Sequence, residues 1–469
     1  MNILDLPMEI FHEVLLAAVI SRGVKRALRL KLVCKQFYDC LQPALFESRL
    51  LDEFGCQGQL LELRFTELWY IRKTHGAEKL WHSYLVYRVQ NETDPEVGRF
   101  VEIRNLAEEL SRRTETQYET TVNSLSWLAL ETGSHYPGHR ERWRNSAYSA
   151  DDPSNPGSYL LSAAAYFNYI PLARQLLSDG NCPTSVNNLF PSPLQLAAWA
   201  GNADMLRLFQ EHLPEFEEIP CSDGLDRGLW RGKVGPGSIK GASLSGDLNI
   251  IHLAVYPESR STPDNTDFSG QPFGSVDFDS ATGSDLYNCL YQAKNWEIFQ
   301  YIDAFFKESI FQPDHPYLLA RYAELGNLEI LRKLLDAGSD INGGKQPNSN
   351  PLVIASRYCH EDIVDMLLER GADPNYCEME QRGPPLCAAA AGGSITIVRK
   401  LLAYGANDWD INPSALRTAV RLEHTAMVNL FLELDIGDAE CQTTALGDAL
   451  SYGMESMVQL LKEKCPHLS

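Results

Sequence analysis

Apolar and polar positions alternate in blocks along the second half of the chain. The stretch NPLVIASRYCHEDIVDMLLERGADPN (350–375) has a short run rich in small and apolar residues, a break, and a longer apolar run at helical spacing. It closes on Gly-Ala. The same order returns 34 residues later in PPLCAAAAGGSITIVRKLLAYGAND (384–408). Aligned on the break, the pattern places turns at Asn168, Gly201, Gly246, Lys294, Gly326, Cys359, Gly393, Glu423 and Gly453. These are nine units spaced mostly by 30 to 34 residues, with two longer gaps of 45 and 48. A period of this size predicts helix pairs stacked as a solenoid, because one pair alone cannot bury its apolar face. Gly338, Gly371 and Gly405 fall where each second helix must stop in a left-handed turn.

The first half also reads as helical. Ile10, Val14 and Leu15 recur at helical spacing after Pro7, which suits a helix start. A second helix is expected after Gly23, with Val24, Leu28, Leu32 and Val33 on one side. Some 43 residues of short helices bury little apolar surface, so a docking partner or the next segment must complete that core. Ile103, Leu106, Ala107 and Leu110, then Tyr118, Val122 and Leu125, mark two further helices. The expected organisation is all-α. It comprises a helical head (1–48), a helical connector (49–132), a polar linker (133–157) and a repeat array (158–465) with insertions near 215–236 and 256–284. The second insertion mixes acids with Phe268, Phe273 and Phe278 and reads as a loop.

Charge narrows the function. The 469 residues hold 62 acids against 41 Lys and Arg, a formal charge of −21, which argues against gripping nucleic acid or an anionic membrane. Six Lys or Arg between Arg22 and Lys35 are interleaved with leucines and read as a solvated helix face. Eleven cysteines without a CxxC pair read as reduced thiols. There is no apolar run of membrane-spanning length, and the first twenty residues do not resemble a signal peptide, so a cytoplasmic or nuclear location is expected.

The repeat resembles the ankyrin repeat, through SPLQLAAWAGN (192–202), NPLVIASRYCH (350–360) and LLERGADPN (367–375). That resemblance implies a stack whose first helices and finger tips bind a protein. The residues just before each turn are the candidates: Tyr166, Trp199, Arg357, Tyr358 and Arg421, with Phe167 and Tyr452 beside them. The N-terminus resembles the F-box in Leu6, Pro7, Glu9, Ile10, Val14, Leu15, Leu30, Leu32, Val33, Cys34, Lys35, Phe37, Leu41, Pro43, Leu45 and Phe46. The usual acidic middle of that motif is replaced by AVISRGVKRA. The combination is most similar to fungal proteins that join an F-box-like start to ankyrin units. It implies docking on an SKP-type adaptor, and through it a cullin, by Leu6, Pro7, Ile10, Leu15, Val33 and Phe37. The chain would then be the substrate-recognition subunit of an SCF-type ubiquitin ligase. The other reading is an ankyrin scaffold or transcription co-regulator without ligase association.

Enzyme signatures are absent from the sequence. GPGSIKGASLSG (235–246) lacks the ending of a phosphate-binding loop and aligns with the first helix of the third unit. His135 and His139 have no third ligand at a recognised interval, and Glu217/Glu218 and Asp151/Asp152 read as solvated carboxylates. No catalytic residue, cofactor or metal is expected.

Overall fold

The computed structural model describes residues 3–51, 77–93, 98–135, 156–185, 187, 189–213, 237–255, 289–303, 318–343, 350–376, 383–407 and 414–468. Among the described residues the regular structure is helical throughout, with no strand. The chain divides into two compact units, Met1–Ala197 and Ala198–Ser469.

In the first unit, α1 (Met8–Arg29) packs on α2 (Lys35–Glu47). Gly23, at φ 71 and ψ 169, breaks α1 into two segments where the sequence places a second helix start. Phe11, Leu15, Val19, Val24 and Ala27 meet Phe37, Leu41, Ala44 and Leu45 in a common core. Each fully buried Leu or Phe there contributes on the order of 2 kcal/mol. The connector closes this core through α3 (Ala77–Asn91): Tyr84 lies 5.2 Å from the Phe46 ring, and Leu80, Trp81 and Tyr87 pack around it. The next segment, rather than a partner, therefore completes the head.

Helices α4 (Gly98–Thr114) and α5 (Tyr118–His135) pack on each other and on α3. Their predicted stripes are inside: Ile103, Leu106, Ala107, Leu110, Val122 and Leu125 are all buried. Helix α5 runs to His135, three residues into the segment expected to be linker; 136–155 lie outside the described residues. Helices α6 (Pro156–Phe167) and α7 (Ile170–Ser178) form the first repeat pair, and α6 packs against α4. Tyr159 donates to Glu102 at 3.5 Å and Tyr166 to Glu131 at 2.9 Å. The connector thus caps the first repeat.

The division between units falls inside α8 (Pro193–Trp199). The second unit continues with α9 (Ala203–Glu211), α10 (Ser238–Ser245), α11 (Leu248–Val255) and α12 (Trp296–Asp303). Five full pairs follow: α13 (Leu318–Leu325) with α14 (Leu328–Asp336), α15 (Pro351–Arg357) with α16 (Glu361–Glu369), α17 (Pro385–Gly392) with α18 (Ile395–Ala403), α19 (Ala415–Arg421) with α20 (Thr425–Glu433), and α21 (Ala439–Ser451) with α22 (Glu455–Lys464). First helices stack on first helices from α13 to α21, and second helices stack from α9 through α11 and α12 to α14 and from α16 to α18. The Gly-rich stretch before Gly246 is the helix α10, as its alignment implies. Both insertions lie outside the described residues.

Turn chemistry explains why the pairs repeat. Asn168, Gly201, Gly246, Gly326, Cys359, Gly393, Glu423 and Gly453 all have positive φ, as do Gly338, Gly371 and Gly405 after the second helices. Of the nine aligned turns, only Lys294 is not left-handed. Helix starts are capped by side chains, with Asn327 accepting from Ile330, Asn350 from Val353, Ser394 from Ile397 and Asp438 from Cys441.

Candidate protein-docking surfaces

The predicted residues fall on the head and on the repeats; of the repeat residues, Tyr166 belongs to the first unit and Trp199, Arg357, Tyr358 and Arg421 to the second. On the head, the six proposed adaptor contacts separate into layers. Ile10 and Val33 are exposed at 51% and 61%, and Pro7 is exposed ahead of α1, its carbonyl accepting from the Phe11 amide at 2.9 Å. Leu6 is partly buried against the core. Leu15 and Phe37 lie inside that core; the Phe37 ring meets Phe11 edge-on at 5.2 Å. For these two, surface contact is replaced by internal packing, because the buried faces of α1 and α2 turn toward each other and toward α3.

The exposed layer is larger than the motif indicated. Ile3, Leu4, Met8, Val14, Ile20 and Tyr38 join Ile10 and Val33 in it. Those eight side chains are two-thirds of the twelve large exposed hydrophobics among the described residues, all within the first 38 positions. Met8 and the start of α2 are joined by a Gln36 Nε2 contact to the Met8 sulfur at 3.8 Å. Lys31 donates to Gln42 at 3.1 Å and lies 5.3 Å from the Tyr38 ring, and burial pushes its pKa below the ordinary lysine value. The head therefore exposes eight large apolar side chains, with Lys31 beside one of them.

Beneath the head lies a buried charge network that the sequence did not announce. Arg88 and Glu92, one turn apart on α3, are both buried and paired. Arg49 reaches Glu92 Oε1 at 3.4 Å, the Thr93 amide donates to the same oxygen at 3.1 Å, and the Phe100 ring lies 4.5 Å from the Arg88 guanidinium. Arg104 donates to the Glu92 carbonyl at 2.7 Å. An i,i+4 Arg/Glu pair reads in sequence as a solvated bridge; here it is buried and ties the residue after the head, Arg49, to α3 and α4 of the connector.

In the repeats, Tyr166 is half-buried, stacked edge-on with Phe167, and its hydroxyl is engaged by Glu131; burial pushes its pKa well above the ordinary tyrosine value. Trp199 and Arg357 are half-buried at the ends of their helices. Tyr358 is 6% exposed and belongs to the core, so it is withdrawn from the docking face. At the matching position just after α21, Tyr452 is 60% exposed.

Arg421 is half-buried and held. Its Nε donates to Asp448 Oδ2 at 3.1 Å, and Arg417 Nε donates to the same oxygen at 3.0 Å. Burial alone would raise the Asp448 pKa, but hydrogen bonds from Arg417 and Arg421 outweigh it and hold the carboxyl below the ordinary aspartate value. The finger tips are braced as well: Asn342 Oδ1 accepts from the Asp373 amide at 3.0 Å and Asn375 Oδ1 from the Asn407 amide at 2.9 Å. The result is a preformed surface of stacked first helices with fixed arginines.

Residues 297–378 match the family model of ankyrin repeats, described as three copies. This stack is built of ankyrin repeats. Relatives agree over similar segments. The ankyrin repeat and KH domain-containing protein mask-1 of Caenorhabditis elegans is 39% identical over 157 residues, 32% of this chain and 6% of that protein. The inactive serine/threonine-protein kinase TEX14 of Mus musculus is 33% identical over 87 residues, 19% of this chain and 6% of its own length. The putative ankyrin repeat protein FPV230 of Fowlpox virus is 37% identical over 68 residues, 14% of this chain and 36% of that protein. The chain thus spans a small part of the curated relatives it matches. Ankyrin repeats make this chain a protein–protein interaction module. No described helix is long and apolar enough to cross a membrane. Eight described cysteines, from Cys34 to Cys465, are free thiols.

Proposed function

We propose that the chain is the substrate-recognition subunit of an SCF-type cullin-RING ubiquitin ligase. Its F-box-like head docks on an SKP-type adaptor, and its ankyrin repeats hold a protein substrate through Tyr166, Trp199, Arg357 and Arg421. The observation that supports this reading is the concentration of exposed apolar side chains in the head, a surface whose internal core is already complete. Exposed apolar area of this kind marks an interaction site. Ile10 and Val33, with Met8, Val14 and Tyr38, are its contact layer; Leu15 and Phe37 hold the two helices in register beneath them. Ubiquitin transfer would belong to the conjugating enzyme that the ligase recruits, and this chain would supply proximity. Such a role is carried out in the cytoplasm or nucleus.

The test is co-precipitation of the tagged protein with the host's SKP-type adaptor, comparing wild type with Ile10→Asp/Val33→Asp. Both positions are exposed, so the fold should survive, which circular dichroism checks. Retrieval by wild type and at least a tenfold loss in the double variant are expected, because two charges would have to be buried unpaired. A folded wild type that retrieves no adaptor would refute the ligase reading.

A further inference from the structure

Summed over α13 to α20, charge in the second unit differs between first and second helices. The first helices α13, α15, α17 and α19 carry four arginines, Arg321, Arg357, Arg417 and Arg421, against one acid, Glu324. The second helices α14, α16, α18 and α20 carry seven acids against four bases. In a chain of formal charge −21, these four first helices carry an excess of cations, while the last first helix, α21, carries only the acids Glu440 and Asp448. Every one of those cations is arginine, whose planar fork matches a carboxylate in two-point contact better than lysine does.

The arrangement has two poles with a shallow floor between them. Arg357 ends α15. Arg417 and Arg421 sit on α19, where one carboxylate, Asp448, engages both. Asp448 thereby orients both guanidinium groups. Between the poles, the half-buried end of α17 contributes Ala391 and Gly392, too small to hold a ligand off the helix. Gly392 is itself required to be small, since a Cβ there would lie 2.5 Å from the Arg357 carbonyl oxygen. Two helix spacings separate the poles, roughly 16–20 Å, which an extended peptide covers in about five or six residues. Past α19, Tyr452 on α21 offers an exposed aromatic ring.

We propose that this first-helix face binds an acidic, extended peptide segment of a partner protein, with carboxylates at the Arg357 pole and at the Arg417/Arg421 pole. The proposal rests on the reading that this face is the partner-binding surface, and it specifies the chemistry of what is bound. Arg357 and Arg421 are the selecting residues; Arg417, mostly covered at 13% side-chain exposure, positions Asp448 and through it Arg421.

The test is selection of a displayed library of random twelve-residue peptides on the full chain, run in parallel on Arg357→Glu/Arg421→Glu and on Lys400→Glu, which alters a second helix instead. Wild type and Lys400→Glu should enrich peptides with Asp or Glu pairs about six residues apart. The double variant should lose them. A synthetic peptide of that pattern, measured by fluorescence anisotropy, should bind the double variant at least tenfold more weakly than wild type, and Arg421→Gln, which keeps the polarity, should fall between. Enrichment of peptides without acids, lost on substitution of Trp199 or Tyr452, would overturn the acidic-ligand proposal while keeping the face as a docking surface. Peptides insensitive to every first-helix substitution would overturn both. Displacement of the acidic peptide from wild type by a single-stranded oligonucleotide at equal or lower concentration would also overturn it, by assigning the arginines to phosphate.

Discussion

Glu423 holds φ 51 in the turn between α19 and α20, a position that its neighbours in the stack fill with glycine. A side chain in this region costs about 1–2 kcal/mol, part of which glycine returns through the entropy of the unfolded chain. Glu423→Gly should therefore stabilise the protein by about 0.5–1 kcal/mol. Gly201→Ala is the converse, since no atom lies within 4 Å of its missing Cβ and only the backbone at φ 74 resists; a loss of about 1 kcal/mol is expected. Guanidinium titrations of both variants measure these shifts, and a destabilised Glu423→Gly would contradict the strain argument. Cys359 is a different case at the same position, because its Sγ lies 3.3 Å from the Gly392 carbonyl and burial pushes the thiol pKa up to about 11. Residue by residue, the turns were legible because left-handed backbone restricts composition. Burial was less so. Tyr358 and Tyr452 occupy equivalent places in the sequence pattern, yet one is covered and the other open.

At the level of elements, the sequence displays apolar stripes but not what covers them. Leu15 and Phe37 belong to a helical apolar face that an adaptor or the connector would satisfy equally well, and α3 satisfies it here. The Arg88–Glu92 pair was hidden for the same reason, since its depth is set by helices distant in sequence. The contact between α19 and α21 makes a prediction at this scale. The Asp448 pKa is lowered on folding, so its pairing with Arg417 and Arg421 stabilises the folded state fully above the unfolded aspartate value of about 3.9 and is lost as pH falls through the folded value. Asp448→Asn should cost about 1 kcal/mol at neutral pH, given partial solvent screening. The difference from wild type should shrink as the pH drops below about 4, where the wild-type carboxyl also loses its charge. Urea denaturation at neutral and acid pH reads both limits. A gap that stays constant with pH would assign the loss to packing.

Across the whole molecule, stability and recognition are both local. A repeat stack gains its stability from each pair and from its nearest neighbours, so damage in one repeat should spread only to those it touches. Leu401 on α18 is fully buried, and Leu401→Ala should cost about 2–4 kcal/mol. Hydrogen exchange followed by mass spectrometry should then show faster exchange in α17 and α18, a smaller increase in α16 and α19, and unchanged protection in α3, α4 and α5 of the other compact unit. The contrast matters for function. If protection fell evenly in both units, the chain would unfold as one cooperative body, and a ligand on the first-helix face would stabilise the head as much as the repeats. With the loss confined to the second unit, the arginine face and the apolar head surface become separately tunable, as the proposed ligase role requires. The sequence carried the repeat period plainly. It could not show that the connector seals the head and caps the first repeat, since those contacts join helices with no shared pattern.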